Sequence, residues 1–295
     1  MHAELILDAR NATGECPVWN AQEQALYWVD IPAKRLNRWS ALDQRTQSWE
    51  TPEMLACIAS YGDGSWMAGM ESGLFRIRPQ ADGTLSSDRL IDVHHPRANM
   101  RFNDGRCDRQ GRFWAGTMFI DMAQASVVGS VYRYDEGQSE PLAAYLTDMI
   151  VPNGLGFSPD GRVMYLSDSH PSIQKIWAFD YDIDGGTPRN RRLFVDMNHY
   201  AGRPDGAAVD AEGCYWICGN DEGLIHRFTP EGKLDRSLAV PVKKPSMCAF
   251  GGRELDTLFV TSIRPGGNLD DQPLAGGVFA LQPGVKGLEE PRFKG

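Results

Sequence analysis

The 295-residue chain has no apolar run long enough to cross a bilayer and no cluster of lysine and arginine. The first absence argues against a helical membrane span, which needs about 20 consecutive apolar residues. The second, with 30 basic against 39 acidic residues and a formal charge of −9, leaves no basic footprint for nucleic acid or for an anionic membrane surface. The N-terminal Met1-His2-Ala3-Glu4-Leu5-Ile6-Leu7-Asp8 lacks the order of a secretory signal, so a cytoplasmic protein is expected. No CxxC pair and no zinc spacing occur: Cys16, Cys57, Cys107, Cys214, Cys218 and Cys248 are scattered and read as reduced, buried residues. A Gly-x-Ser-x-Gly elbow is missing too, so the six histidines (His2, His94, His95, His170, His199 and His226) have no serine nucleophile to serve. Long helical periodicity is absent, which excludes an α/β fold.

What is present is a repeat. Leu26-Tyr27-Trp28-Val29, Ser65-Trp66-Met67-Ala68, Phe113-Trp114-Ala115-Gly116, Met164-Tyr165-Leu166-Ser167, Tyr215-Trp216-Ile217-Cys218 and Leu258-Phe259-Val260-Thr261 share one pattern. Their aromatic anchors Trp28, Trp66, Trp114, Tyr165, Trp216 and Phe259 are spaced by 38, 48, 51, 51 and 43 residues. A second strand-like segment follows each, from Leu36-Asn37-Arg38-Trp39 to Val278-Phe279-Ala280-Leu281. Such a period is the mark of propeller blades. The expectation is all-β: one domain over residues 1–295, a six-bladed β-propeller with four-stranded blades. Turn phrases such as Ser158-Pro159-Asp160-Gly161 join the innermost strand to the second. Glu4-Leu5-Ile6-Leu7-Asp8 has nothing to pair with in the first blade and is expected to supply the outer strand of the last.

Strand parity puts the links from first to second strand at one end, the bottom. The links from second to third strand, and from outer strand to the next blade, fall at the top. The long connections all read as top ones: 118–129 and 262–276 within blades, and 83–101, 136–151 and 184–203 between them. Long connections in compact domains tend to carry function, so the site is expected at the top of the channel. There, four of the six innermost strands place Glu15, Asn103, Asn153 and Asp205 at equivalent positions. Asn, Asp and Gly at strand starts are commonly turn residues. In register around a ring, however, they converge on the axis as four oxygen-bearing side chains. Oxygen ligands without His or Cys suit Ca²⁺, Mg²⁺ or Mn²⁺, with Zn²⁺ or Fe²⁺ also accommodated.

Several motifs, in order along nearly the whole chain, resemble the regucalcin (senescence marker protein)/gluconolactonase family. They are Gly14-Glu15-Cys16-Pro17-Val18-Trp19, Arg101-Phe102-Asn103-Asp104-Gly105, Gly116-Thr117-Met118, Pro152-Asn153-Gly154-Leu155, Ser158-Pro159-Asp160-Gly161, Pro204-Asp205-Gly206 and Leu274-Ala275-Gly276-Gly277-Val278-Phe279. The resemblance implies a six-bladed propeller that hydrolyses sugar lactones with one divalent metal. It implies Glu15, Asn153 and Asp205 as metal ligands, Asp205 also as the proton acceptor and donor, and Arg101 and Asn103 as substrate contacts. Asp121 falls near a substrate-contacting position the family usually fills with Glu, one methylene longer.

The expected reaction is metal-assisted hydrolysis of an aldono-1,4- or 1,5-lactone, a small-molecule substrate, by a monomer whose ring is already closed. An aldarolactone is a rival in the same class, since several arginines lie near the mouth. Organophosphate or aryl-ester hydrolysis on the same metal, and a non-catalytic calcium-binding or interaction propeller, are the further readings. His94, His95, Asp168-Ser169-His170, His199, Tyr200, Arg203 and Arg264 are additional candidates to line the mouth.

Overall fold

In a computed structural model, which describes residues 3–138 and 142–294, the chain forms six four-stranded antiparallel sheets, five with their strands in sequence order and the sixth with the N-terminal strand at its outer edge. The innermost strands are Gly14–Asn20, Cys57–Ser60, Met100–Cys107, Pro152–Phe157, Arg203–Val209 and Pro245–Gly251. Successive inner strands contact one another around the ring, and the last touches the first, which closes a six-bladed β-propeller. The only helices among the described residues are two short 3₁₀ turns, Met122–Gln124 and Met197–His199, so no helix is long and apolar enough to cross a membrane.

The repeat anchors are core, as their spacing implies. Trp28, Trp66, Trp114, Tyr165, Trp216 and Phe259 lie on the second strands and are buried. They interlock adjacent blades: the Tyr27 and Trp66 rings sit 4.4 Å apart, and those of Trp216 and Phe250 6.0 Å. Three of the anchor indoles are compensated for burial: Trp28 donates to Asn11 Oδ1 at 3.2 Å, Trp114 to the Tyr181 hydroxyl at 2.9 Å and Trp216 to Asp210 Oδ2 at 2.9 Å. All six cysteines are buried free thiols.

Ring closure is as expected: Glu4–Leu7 pairs antiparallel with Val278–Leu281, in register Glu4 with Ala280 and Leu5 with Phe279. The long-connection reading needs correction at three places. Segments 83–101, 136–151 and 184–203 contain the outer strands Leu85–Asp92, Ala144–Met149 and Thr187–Asp196. These strands are polar and mostly exposed, so they carry little hydrophobic signal. Residues 139–141 of the second segment lie outside the described residues. The long top connections that stand are 120–128 and 263–277.

The bottom of the channel carries a feature the sequence did not announce. After the last strand, the C-terminal segment runs across the bottom turns. Ala211 donates to Lys286 O, Phe293 to Ser60 O and Lys294 to Gly111 O, at 2.9, 2.8 and 3.0 Å. Phe293 is buried against Tyr61 and Tyr134, and Glu290 meets the buried Arg106 at 3.2 Å. A chain beginning at Arg10 leaves the Val278–Leu281 edge bare; we expect it to lose roughly 2–6 kcal/mol, from about four backbone hydrogen bonds at ~0.5–1.5 kcal/mol each, and to aggregate on heating. Thermal melting with light scattering checks this.

Candidate active site at the top of the channel

Local backbone geometry explains why the four in-register residues point inward. In five of the six innermost strands the pairing register shifts at this point: Glu15/Val18, Phe102/Gly105, Asn153/Gly156, Pro204/Ala207 and Pro245/Cys248. A bulge re-aims the side chains beside it, and here it turns them to the axis. The Pro-Asn-Gly and Pro-Asp-Gly motifs serve this bend. Gly154 has φ of +59°, and a Cβ there would stand 2.5 Å from the Tyr215 hydroxyl. At Gly206 a Cβ would meet Met247 Cγ at 2.3 Å.

The loops entering two of these strands are pinned by carboxylates ending the second strands. Asp30 accepts from the N–H groups of Ala12 and Thr13, each at 3.0 Å. Asp168 accepts from Ile150, Val151 and His170, at 2.7, 3.1 and 3.0 Å. Glu15 and Asn153 follow these clamps by two and three residues. Asp168 is therefore a scaffold residue, whereas its neighbour Ser169 reaches the site: Asn153 donates to its hydroxyl at 3.4 Å.

At the centre, Asp205 is buried and both its oxygens are engaged. Asn153 Nδ2 donates to Oδ1 at 2.5 Å and Asn220 Nδ2 to Oδ2 at 2.6 Å. Asn103 donates to Pro152 O at 3.0 Å and accepts from Arg101 at 2.8 Å; Arg101 also donates to Phe102 O at 2.7 Å. Burial, then the charges of Asp205 and Asp104, push the Glu15 carboxyl well above its ordinary range, against the pull of the Cys16 N–H and Arg101. Burial lifts Asp205 to about 6, although Arg203, Asn220 and Asn153 favour its charged form. Burial likewise pulls Arg101 down to about 10, with Glu15 the leading opposing charge.

Asp205 and Asp104 thus raise the proton affinity of Glu15, and Asp104 that of Asp205, at the head of a narrow channel. Asp104 Oδ2 takes the Leu155 N–H at 2.9 Å, while its buried Oδ1 has no hydrogen-bond partner. A crowd of carboxylates out of water, with an amide oxygen beside them and no His or Cys donor, suits a hard divalent cation. The residues present fit such an ion. A second acidic group does not. Asp210, Glu212 and Cys214 bring ligand atoms within 4.8 Å of one another at a bottom turn. Yet Asp210 is saturated by the Glu212 and Cys214 N–H groups, Trp216 and Arg227, and the guanidinium of Arg227 already neutralises the cluster.

Other candidates are placed differently. Asp121 is exposed and caps the Met122–Gln124 turn, accepting from Ala123 N at 3.2 Å and Gln124 Nε2 at 2.8 Å; no hydrogen bond joins it to the axial group. His170 accepts or donates between Ser172 Oγ and Met122 O, tying that loop down. His95 meets Glu71 O at 2.7 Å, and His94 and His199 are exposed. Arg264 donates to Ala275 O at 3.0 Å within its own loop. Arg203 does belong to the site, and so does Asn220, which sequence reasoning missed. The pairing register held the signal: Asn220 stands opposite Arg203, two residues before Asp205, much as Ser169 follows Asp168, which stands opposite Pro152. Replacing Asp168 by alanine strips three N–H groups of a charged acceptor, at ~1–3 kcal/mol per unsatisfied group. We expect a loss of about 3 kcal/mol or more in denaturant unfolding.

The family model described as "SMP-30/Gluconolactonase/LRE-like region" matches residues 13–264. A 6-deoxy-6-sulfogluconolactonase of Pseudomonas putida is 39% identical over 286 residues, covering 96% of this chain and 95% of that protein. A regucalcin of Danio rerio is 32% identical over 297 residues, covering 99% and 98%. The solved structure of a calcium-binding protein, regucalcin, from Agrobacterium tumefaciens str. C58 is similar at a TM-score of 0.91 and 26% identity, covering 99% of this chain and 97% of that one. With six blades around a channel headed by Glu15, Asn153 and Asp205, and with matches along its whole length, the chain belongs to the SMP-30/gluconolactonase/LRE-like family.

Proposed function

We propose that the protein hydrolyses a sugar lactone to the sugar acid, with one divalent cation held by Glu15, Asn153 and Asp205. Its class is that of hydrolases acting on carboxylic ester bonds, as the gluconolactonase names among its relatives describe. The observation that carries the reading is the buried Asp205, held by the Asn153 and Asn220 amides on its two oxygens among the inward-turned residues of the innermost strands. When bound, a divalent cation supplies Lewis-acid polarisation of the carbonyl oxygen and lowers the pKa of water.

The chain's own residues do the rest. Arg101 and Asn103, already hydrogen-bonded to each other, hold the lactone and its hydroxyls at the mouth. Asp205 takes a proton from the attacking water as the new C–O bond forms, then returns it to the ring oxygen as the ester bond breaks. Asn153 and Ser169 fix the side of the pocket next to that carboxylate. Asp121 can reach substrate only by leaving its cap on the 120–128 loop, which makes it the least committed of the proposed contacts.

An aldonolactone is the leading substrate. A lactone with a second acidic group is favoured by one observation: Arg101 makes hydrogen bonds to Phe102 O and Asn103 but no ion pair among the described residues. The Pseudomonas relative is named for a sulfonated gluconolactone. We further propose that the closed ring is sufficient as a cytoplasmic monomer.

The test is proton release near neutral pH across pentono-, hexono- and aldarolactones, after chelation and with Ca²⁺, Mg²⁺, Mn²⁺, Zn²⁺ or Fe²⁺ added singly. Chelation is expected to abolish turnover and one metal to restore it; no acceleration of any lactone with any metal refutes the reading. Asp205→Asn should lower kcat by about 10²–10⁴-fold. Its melting temperature without metal should not fall, because the substitution removes a buried charge that burial disfavours. In the wild type, metal at a hundred times its Kd should add about 2.7 kcal/mol of stability, read as a rise in Tm.

A further inference from the structure

We infer that Asn220 is the positioning residue of the site: it holds the Asp205 carboxylate in plane and leaves Oδ1 as the oxygen turned toward cation and water. The inference rests on the proposed metal site and goes beyond its ligand set. Asn220 ends the second strand of the fifth blade, is almost wholly buried, and donates to Asp205 Oδ2 at 2.6 Å.

The orientation of its amide is dictated by its surroundings. Asn220 Oδ1 accepts from the Arg203 guanidinium at 3.3 Å. Turned over, the amide would aim its NH₂ at a guanidinium and its oxygen at a carboxylate, and both contacts would be repulsive. Arg203 is itself immobilised, donating from Nε to Asp221 Oδ2 at 2.6 Å and from another nitrogen to Ser169 O at 3.0 Å. Lys244 bonds the other oxygen of Asp221. A line of alternating charge and dipole, Lys244–Asp221–Arg203–Asn220, therefore runs from the rim to Asp205.

Asn153 is held differently. Its Nδ2 also reaches Asp205, but its Oδ1 accepts only from the N–H of its own neighbour Gly154, at 3.2 Å. To turn its oxygen toward a cation, as a ligand must, the amide gives up this local bond and its donations to Asp205 and to the Ser169 hydroxyl. Asn220 cannot turn without breaking its bond to Arg203. It is thus unsuited to be a ligand and is the one side-chain donor that Asp205 keeps when Asn153 turns. Outer groups that orient metal-binding carboxylates commonly govern affinity as well as rate.

The test compares wild type, Asn220→Ala and Asn220→Thr, the last keeping a shorter hydroxyl donor on a residue suited to a strand. The probe is Mn²⁺ alone, titrated into metal-free protein by calorimetry, with melting curves of the metal-free forms and kcat and KM at saturating metal. Asn220→Ala should bind Mn²⁺ roughly 10–100-fold more weakly, with kcat falling and KM little changed, and Asn220→Thr should lie between. A folded Asn220→Ala with wild-type Mn²⁺ affinity and kcat overturns the inference, and so does one that merely melts earlier. If Asn220→Ala does not fold, the same criteria apply to Asn220→Thr. Wild-type protein that binds no Mn²⁺ refutes the metal site and this inference together. Wild-type protein that binds Mn²⁺ but hydrolyses no lactone refutes the proposed reaction alone, and the affinities then decide the role of Asn220.

Discussion

Everything at the head of the channel depends on the ring being closed, which the pairing of Glu4–Leu7 with Val278–Leu281 and the direct contact of the first and last inner strands secure together. Without the outer pairing the sixth sheet would end in an unpaired edge, and the seam would be left to the contacts of the inner strands. With it, a residue at a given register in one blade must face its equivalents in the others. The fold thus brings together Glu15 and Asp205, 190 positions apart in the chain, with no loop devoted to the purpose.

That convergence is electrostatically adverse by itself. Burial disfavours the charged forms of Glu15 and Asp205, and the neighbouring carboxylates, Asp205 and Asp104 for Glu15 and Asp104 for Asp205, add to the cost. The surrounding structure answers with dipoles and fixed cations. Backbone N–H groups meet Asp104 and Glu15, two amides meet Asp205, and Arg101 and Arg203 stand on either side. These groups lessen the repulsion without removing it. The remainder is a site poised for positive charge, which is what a divalent cation or a proton in transit provides.

The two ends of the channel are built on opposite principles. At the top, bulged strand starts turn polar side chains to the axis beneath the 120–128 and 263–277 connections. At the bottom, the C-terminal segment crosses the tight turns with Phe293 and the Arg106–Glu290 pair, and a pocket lined by Cys16, Ile58, Arg106, Met247 and Glu290 lies beside it. A buried charge pair of this kind adds little net stability compared with apolar packing, but breaking it is costly, so it fixes where the segment lies.

The repeat of aromatic anchors by itself determined the six blades, and the in-register Glu15, Asn103, Asn153 and Asp205 pointed to the head of the channel as the candidate site. Periodicity could do this because blade packing demands a large apolar residue at each second strand, a demand written into Trp28, Trp66, Trp114, Tyr165, Trp216 and Phe259. The outer strands 85–92 and 144–149 were not legible, because solvent-facing strands make no such demand. Only the tertiary structure decided that Asp168 is a clamp and that the C-terminal segment crosses the bottom. It alone gave Asn220, and not Asp121, a hydrogen bond to the axial group. Those outcomes turn on hydrogen bonds between blades, whose partners are set by register and bulges in three dimensions and leave no spacing along the chain.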